Sequence, residues 1–275
     1  MKKILVPTDF SECANNATDI AIDIAKHYGA ELHFYHFVSV PIDWVHLDFA
    51  QNTIYPDVTQ EVDRVQKEIK KLVTYAEGKG VKAYSYVDFD NSTGAVATYA
   101  KKNDISFIVM GSHGAKGIQE FFLGSNAQKV VRYAEIPVLI VKTKLDSIHV
   151  NDILFVSDFQ EEMTKPFEHV IQFAKVIDAK IHLVYLNTPS DFQRSWVIRE
   201  RMESFEKLAS GLLAKSEVVN CLFLEEGMEQ YCKDNHIGMI AMATHHRKGL
   251  SRTFLGSLTE EVVNHMDIPV VSFPI

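Results

Sequence analysis

Cysteine is scarce in this chain. Cys13, Cys221 and Cys232 are the three in 275 residues, and no two stand in a CxxC spacing. An odd, scattered set fits neither a disulfide framework nor a short redox or metal motif, so these thiols read as packed or surface side chains. Long apolar runs are also missing, since none approaches the ~20 residues that span a bilayer. Met1, Lys2 and Lys3 lead directly into strand-like residues, which leaves no room for a secretory leader. The expected location is cytoplasmic, away from membranes. Positive charge is in deficit, with a formal net charge of −8. That balance argues against a general nucleic-acid binder, which needs a basic surface.

What is present is an apolar, β-type run over 107–110 that ends at Gly111. A loop with Gly114 and Gly117 follows, and Gly124-Ser125 opens a helix-like segment. Glycines let backbone N–H groups approach an anion, and a helix start adds unpaired donors and a positive dipole end. The stretch is therefore a candidate phosphate cradle. It is not a P-loop, which closes on Gly-Lys-Ser/Thr, nor the dinucleotide GxGxxG. Its spacing is Gly, two residues, Gly, nine residues, Gly-Ser.

The chain is written twice. The segment from Ile4 to Phe10, with Asp9, returns from Ile153 to Phe159, with Asp158. Ala25, Lys26, Ala30 and His33 return as Ala174, Lys175, Ala179 and His182, all at an offset of 149. Gly124-Ser125 returns as Gly256-Ser257 and Ile136-Pro137 as Ile268-Pro269, at an offset of 132. The first half thus carries 17 extra residues, placed within 40–60. The expected domains are 1–145 and 150–275, with a polar link at 143–151.

Each half reads as alternating strands and helices. In the first, strands are expected at 3–8, 31–38, 81–87, 105–110 and 137–141. Helices are expected at 11–27, 61–77, 94–101 and 125–134, the second with Val62, Val65, Ile69 and Leu72 on one face. In the second half, helices are expected near 163–177, 192–214 and 258–265, with a strand at 218–224. The fold class is α/β: two tandem Rossmann-like domains, each a five-stranded parallel sheet with helices on both faces.

The glycine spacing, with the opening Pro7-Thr8-Asp9 turn and the closing Ile136-Pro137-Val138 strand, resembles the universal stress protein family. The resemblance covers residues 2–142 in family order. It implies an adenine nucleotide alpha hydrolase-like fold with strand order 3-2-1-4-5, and an ATP-binding first half with Mg2+ or Mn2+. It carries Pro7, Thr8 and Asp9 over as the nucleoside wall. Phe37, after His36, is the backbone that meets adenine. Met110, Gly111, Ser112, His113, Gly114, Gly124, Ser125 and Asn126 form the phosphate loop. Asp9 is also a candidate cation ligand, although the same residue could simply cap a turn.

The second half departs from the motif, with Ala243 for Gly111 and His246 for Gly114. Conventional ATP binding is not expected there, although His245, His246, Arg247 and Lys248 could hold another anion. The histidines do not read as a metal site. His33 and His36 lie on opposite faces of one strand, and adjacent His245 and His246 make a poor chelate.

Three functions fit: a nucleotide-binding stress or regulatory protein, a weak ATPase, or a scaffold for a non-nucleotide ligand. No Ser/His/Asp set, paired carboxylates or water-positioning residue stands beside the cradle, which disfavours turnover. The last strands of the two halves are expected to pair as a pseudo-dimer within the chain, with a further homodimer also open.

Overall fold

The computed structural model describes residues 1–41, 44, 55–89, 94–112, 125–142, 148, 150–244 and 268–275. Strand β1 (Lys3–Pro7) buries Ile4, Leu5 and Val6 completely, as befits a strand covered on both faces. It turns into α1 (Glu12–Tyr28), whose N-cap Ser11 accepts a hydrogen bond from the Ala14 N–H at 3.2 Å. Gly29 ends α1 at φ 62°, a left-handed conformation that costs least without a β-carbon. The first half continues through β2 (Glu31–Phe37), α2 (Pro56–Gly78), β3 (Ala83–Asp88), α3 (Ala95–Lys102), β4 (Phe107–Gly111), α4 (Ser125–Tyr133) and β5 (Val138–Val141).

The second half repeats the order. After β6 (Asp152–Val156) come a 3-10 turn (Glu161–Met163), α5 (Thr164–Val176), β7 (Lys180–Asn187) and α6 (Ser195–Leu208). Then follow β8 (Leu213–Asn220), α7 (Leu224–Asp234), β9 (Met239–Thr244) and β10 (Val270–Pro274). The helix expected at 258–265 and most of the link at 143–151 lie outside the described residues.

Two expected boundaries are corrected. Helix α2 begins at Pro56 rather than 61, because proline at the first helical position has its φ preset and no N–H to satisfy. Residues 56–60, assigned by sequence to the inserted loop, therefore belong to the helix. In the second half the strand expected at 218–224 is β8, Leu213–Asn220, and the helix before it stops at Leu208. Gly211, at φ 90°, turns the chain there. The strand starts with Leu213-Ala214-Lys215-Ser216-Glu217, an edge sequence with no apolar run to announce it.

The strands form one sheet in the order β3-β2-β1-β4-β5-β10-β9-β6-β7-β8. Within each half all pairs are parallel, and the order is the expected 3-2-1-4-5, read in opposite directions. Right-handed crossovers then place α1 and α2 on one face and α3 and α4 on the other. The halves meet at an antiparallel seam, where Val270 faces Ile140, Val271 faces Leu139 and Ser272 faces Val138. The core is continuous across it. Phe107 of β4 stacks on Phe173 of α5 at 5.8 Å, and Phe173 meets Phe273 of β10 at 6.3 Å.

The duplication persists in backbone detail. Left-handed residues recur as Phe10 (φ 64°) and Phe159 (φ 53°), Gly29 (φ 62°) and Asp178 (φ 55°), and Asp104 (φ 54°) and His236 (φ 53°). Each pair stands at one of the two sequence offsets.

Candidate functional site

Strand order reverses between β1 and β4, since the chain leaves β1 toward β2 and β4 toward β5. In open α/β sheets the crevice at the carboxyl ends of two such strands is where ligands bind. Here it is built from the turn Thr8–Ser11 after β1 and from Gly111-Ser112 at the end of β4.

The turn is held by three side-chain oxygens. Thr8 Oγ1 accepts from the Phe10 N–H at 3.1 Å, Asp9 Oδ1 from the Ser11 N–H at 3.1 Å, and Ser11 Oγ from Ala14 as the helix cap. Such Asx- and ST-type captures are why short polar residues recur at turns. Phe10 is the strained member, left-handed despite its β-carbon. Its ring stacks on the His36 imidazole with centroids 4.7 Å apart and planes 19° from parallel. His36 Nδ1–H in turn donates to the Thr8 carbonyl at 2.7 Å. Burial holds this imidazole below the ordinary histidine value, with the Thr8 carbonyl opposing the shift. The ion pair of Glu61 and Arg64 on α2, at 2.6 Å, adds charge of both signs near the ring.

The other expected site residues are placed as follows. Pro7 ends β1 opposite Tyr35. Phe37 ends β2 beside Asp88, half-buried against the main core. Met110 is buried and paired with Ile140 inside the sheet. Ser112 is fully buried, and its N–H donates to the Val141 carbonyl at 3.0 Å, so that amide serves the sheet. Asn126 is exposed in the first turn of α4, which Ser125 opens. His113, Gly114 and Gly124 lie outside the described residues, as do His245, His246, Arg247 and Lys248.

Gly111 has a structural cause distinct from the one its motif suggests. A β-carbon there would lie 2.8 Å from the Cys13 carbonyl carbon and 2.9 Å from both Ala14 N and Cys13 O. The glycine lets the first turn of α1 close down on β4, and it has no left-handed φ. Cys13 Sγ also donates to the Lys142 carbonyl at 3.3 Å, fixing the same turn to the end of β5. In the second half, Ala243 fits where Gly111 stands. There α5 begins only at Thr164, behind a 3-10 turn over the residues matching Cys13 and Ala14.

Sequence reasoning passed over Phe10 and Trp44. The return of Phe10 as Phe159 was the available signal for the first, and no pattern marks the second. Trp44 belongs to a small apolar cluster of Val38, Val62 and Val65, together with Phe10 and Phe89. In the second half Asn187 takes the place of Val38. Its amide donates to the Gln193 carbonyl and to Asn220 Oδ1, and its own Oδ1 accepts from the Gln193 N–H. Phe159 is fully packed there against Phe155 and Phe205.

The buried histidines His182 and His33 each have a protein partner, although His33 Nε2 is buried without one among the described residues. His182 Nε2–H donates to Asp152 at 3.2 Å and its Nδ1 meets the Tyr231 hydroxyl at 2.9 Å, while His33 Nδ1 meets Tyr99 at 3.4 Å. Among the described residues no three His, Cys, Asp or Glu converge as a metal site, and no helix is long and apolar enough to cross a membrane.

Comparison with known proteins agrees with this architecture. The chain is 33% identical over 142 residues to the universal stress protein MJ0531 of Methanocaldococcus jannaschii, covering 51% of this chain and 82% of that protein. It is 31% identical over 149 residues to the universal stress protein YxiE of Bacillus subtilis, covering 51% of this chain and 98% of that protein. The crystal structure of a universal stress protein from Archaeoglobus fulgidus DSM 4304 superposes with a TM-score of 0.72 at 19% identity, over 99% of this chain and 96% of that one, a likeness of fold. The model of the universal stress protein family matches residues 1–142 and again 149–274. With both halves matched, the chain belongs to the universal stress protein family.

Proposed function

We propose that the first half binds one adenine nucleotide, ATP with Mg2+ or Mn2+, and that the protein acts as a nucleotide-responsive regulatory protein of the cytoplasm. The observation that carries this reading is the Thr8–Ser11 turn. It holds a strained phenylalanine at the switch point of the sheet, clamped by His36, beside the end of β4. The same left-handed phenylalanine recurs as Phe159 in the second half, so what separates the halves is the glycine spacing that the first half alone keeps.

In this reading the nucleoside lies along Pro7, Thr8, Asp9 and Phe37, and the phosphates meet the segment from Gly111 to Asn126. The bound metal would neutralise phosphate charge. Asp9 would be its protein ligand, with phosphate oxygens and water as the other donors, a usual arrangement for Mg2+. Slow hydrolysis is the most turnover the residue set supports.

The second half is read as structural. Its equivalent wall is filled by Phe159 and Asn187, and its sequence replaces two glycines of the loop. Calorimetry of the full chain with ATP and Mg2+ tests both statements. One site per chain is the expected result. Two equal sites overturn the asymmetry, and no binding at millimolar ATP overturns the nucleotide reading.

A further inference from the structure

Exposed apolar side chains concentrate at one end of the second half. Phe192 (66% exposed), Trp196 (65%), Leu222 (69%) and Phe223 (66%) are the most exposed large apolar residues among those described. Phe192 and Trp196 bracket the start of α6, while Leu222 and Phe223 join β8 to α7. Asn187, at the end of β7, ties these two connections together. Its amide donates to the Gln193 carbonyl at 3.3 Å and to Asn220 Oδ1 at 3.1 Å, and its carbonyl accepts from the Cys221 N–H at 3.2 Å. The four side chains therefore form one patch at the carboxyl ends of β7 and β8, on the edge of the sheet.

The first half closes the corresponding end from within. There Trp44, from the extra residues, packs against the Val38, Val62 and Val65 cluster with its ring 5.0 Å from that of Phe89. The second half has no such extra segment, since β7 passes to α6 through 188–194 alone. Its apolar side chains are left facing water.

Size and charge name the occupant. At roughly 150–250 Å2 per large side chain, about two-thirds exposed, the patch presents on the order of 500 Å2 of apolar surface. A standard interface takes about 800 Å2 from each partner, a little over half of it apolar. One border carries Arg194, whose guanidinium lies 5.2 Å from the Trp196 ring, and the other carries Glu226 in the first turn of α7. A partner of one sign would meet like charge at one border, and an anionic bilayer would be repelled by Glu226. A copy turned by a twofold axis presents apolar surface to apolar surface and Arg194 to Glu226 at both borders.

We infer that this patch is a self-association surface, and that two chains pair through it as a twofold dimer. It lies apart from the β5–β10 seam, which is already used within the chain.

Analytical ultracentrifugation of the full chain across the micromolar range tests this. The wild type should dimerise reversibly. Trp196→Ser and Phe223→Ser should each weaken association by about tenfold or more, because aromatic anchors carry most of the energy of an interface. Thermal unfolding of the dilute monomers should be unchanged, since each ring is two-thirds exposed in the single chain. Arg194→Glu and Glu226→Arg should each weaken association by about tenfold, and the two together should restore it. A wild type that stays monomeric overturns the inference, as does a dimer indifferent to Trp196→Ser and Phe223→Ser. Charge reversals that the double variant does not rescue overturn the twofold arrangement. A monomer that binds phosphatidylcholine vesicles, and loses them in Trp196→Ser, shows a lipid occupant and overturns it too.

Discussion

Replacing Gly111 with alanine sets the steric account of this glycine against the ligand-contact account. The added β-carbon would meet Cys13 C at 2.8 Å, Ala14 N at 2.9 Å and Cys13 O at 2.9 Å. All three are backbone atoms at the start of α1, so no side-chain rotation relieves the contact. Ordinary carbon contacts lie at about 3.5–4.0 Å, and the first turn of α1 or the end of β4 must shift by several tenths of an ångström. Overpacking of this kind costs about 1–3 kcal/mol. In a protein of this size that corresponds to a fall in Tm of roughly 3–10 °C. Scanning calorimetry without any nucleotide measures it.

Two further glycines calibrate the result. Gly29→Ala meets nothing within 4 Å but must hold φ 62°, and should cost about 1–2 kcal/mol from backbone conformation alone. Gly78→Ala, in open space within the last turn of α2, should be neutral or raise stability by up to about 1 kcal/mol. If Gly111→Ala melts with the wild type, the closeness of α1 to β4 is not what requires glycine. The residue would then be there for a ligand alone.

Other outcomes follow from the same structure. Burial depresses both His33 and His36, with Lys3 reinforcing the effect at His33. Stability should be full above the unfolded-state value of about 6.5. It should decline as the pH falls below that, since the unfolded chain takes up protons the native one refuses, and level off below the native values. A urea midpoint that is flat from pH 7 to 5, or as steep in His33→Gln as in the wild type, refutes this. At the seam, Val270→Glu would place an unpaired carboxylate opposite Ile140 and should cost about 3 kcal/mol or more. A variant with wild-type urea stability would show that the halves do not depend on this contact. ATP at ~100-fold excess over Kd should raise stability by about 2.7 kcal/mol, and unchanged melting would count against the site.

Much of the fold was legible because the repeat supplied it twice. The Ser11 cap and the Gly29 stop rest on local residue chemistry that a sequence displays, while the strand order came with the family resemblance. The start of β8 was not legible, because an edge strand carrying Lys215 and Glu217 has no apolar period to read. Asp178 and His236 take left-handed backbone without glycine to announce it. At the site, Thr8, Asp9 and Ser11 could be read as turn formers. The reason for Gly111 could not, since it depends on how closely a helix 98 residues earlier, at Cys13, comes to rest. Trp44 was hidden for the same reason. Its packing against Val38, Val62 and Val65 exists only once β2 and α2 have come together.

The position of β10 bears on how the protein is made. It lies in the middle of the finished sheet, between β5 and β9, yet Val270 is synthesised 130 residues after its partner Ile140. At ordinary ribosomal speeds of about 5–20 residues per second, the first half waits on the order of ten seconds with β5 uncovered. That strand is four buried aliphatic residues, Val138-Leu139-Ile140-Val141. On a nascent chain it is an adhesive edge whose four residues include no charge or proline, with only Pro137 and Lys142 flanking it. Neighbouring chains on one polysome display the same edge at the same stage, and the correct partner arrives last. Slowed translation across the second half should therefore lower the soluble yield even where the mature protein is stable.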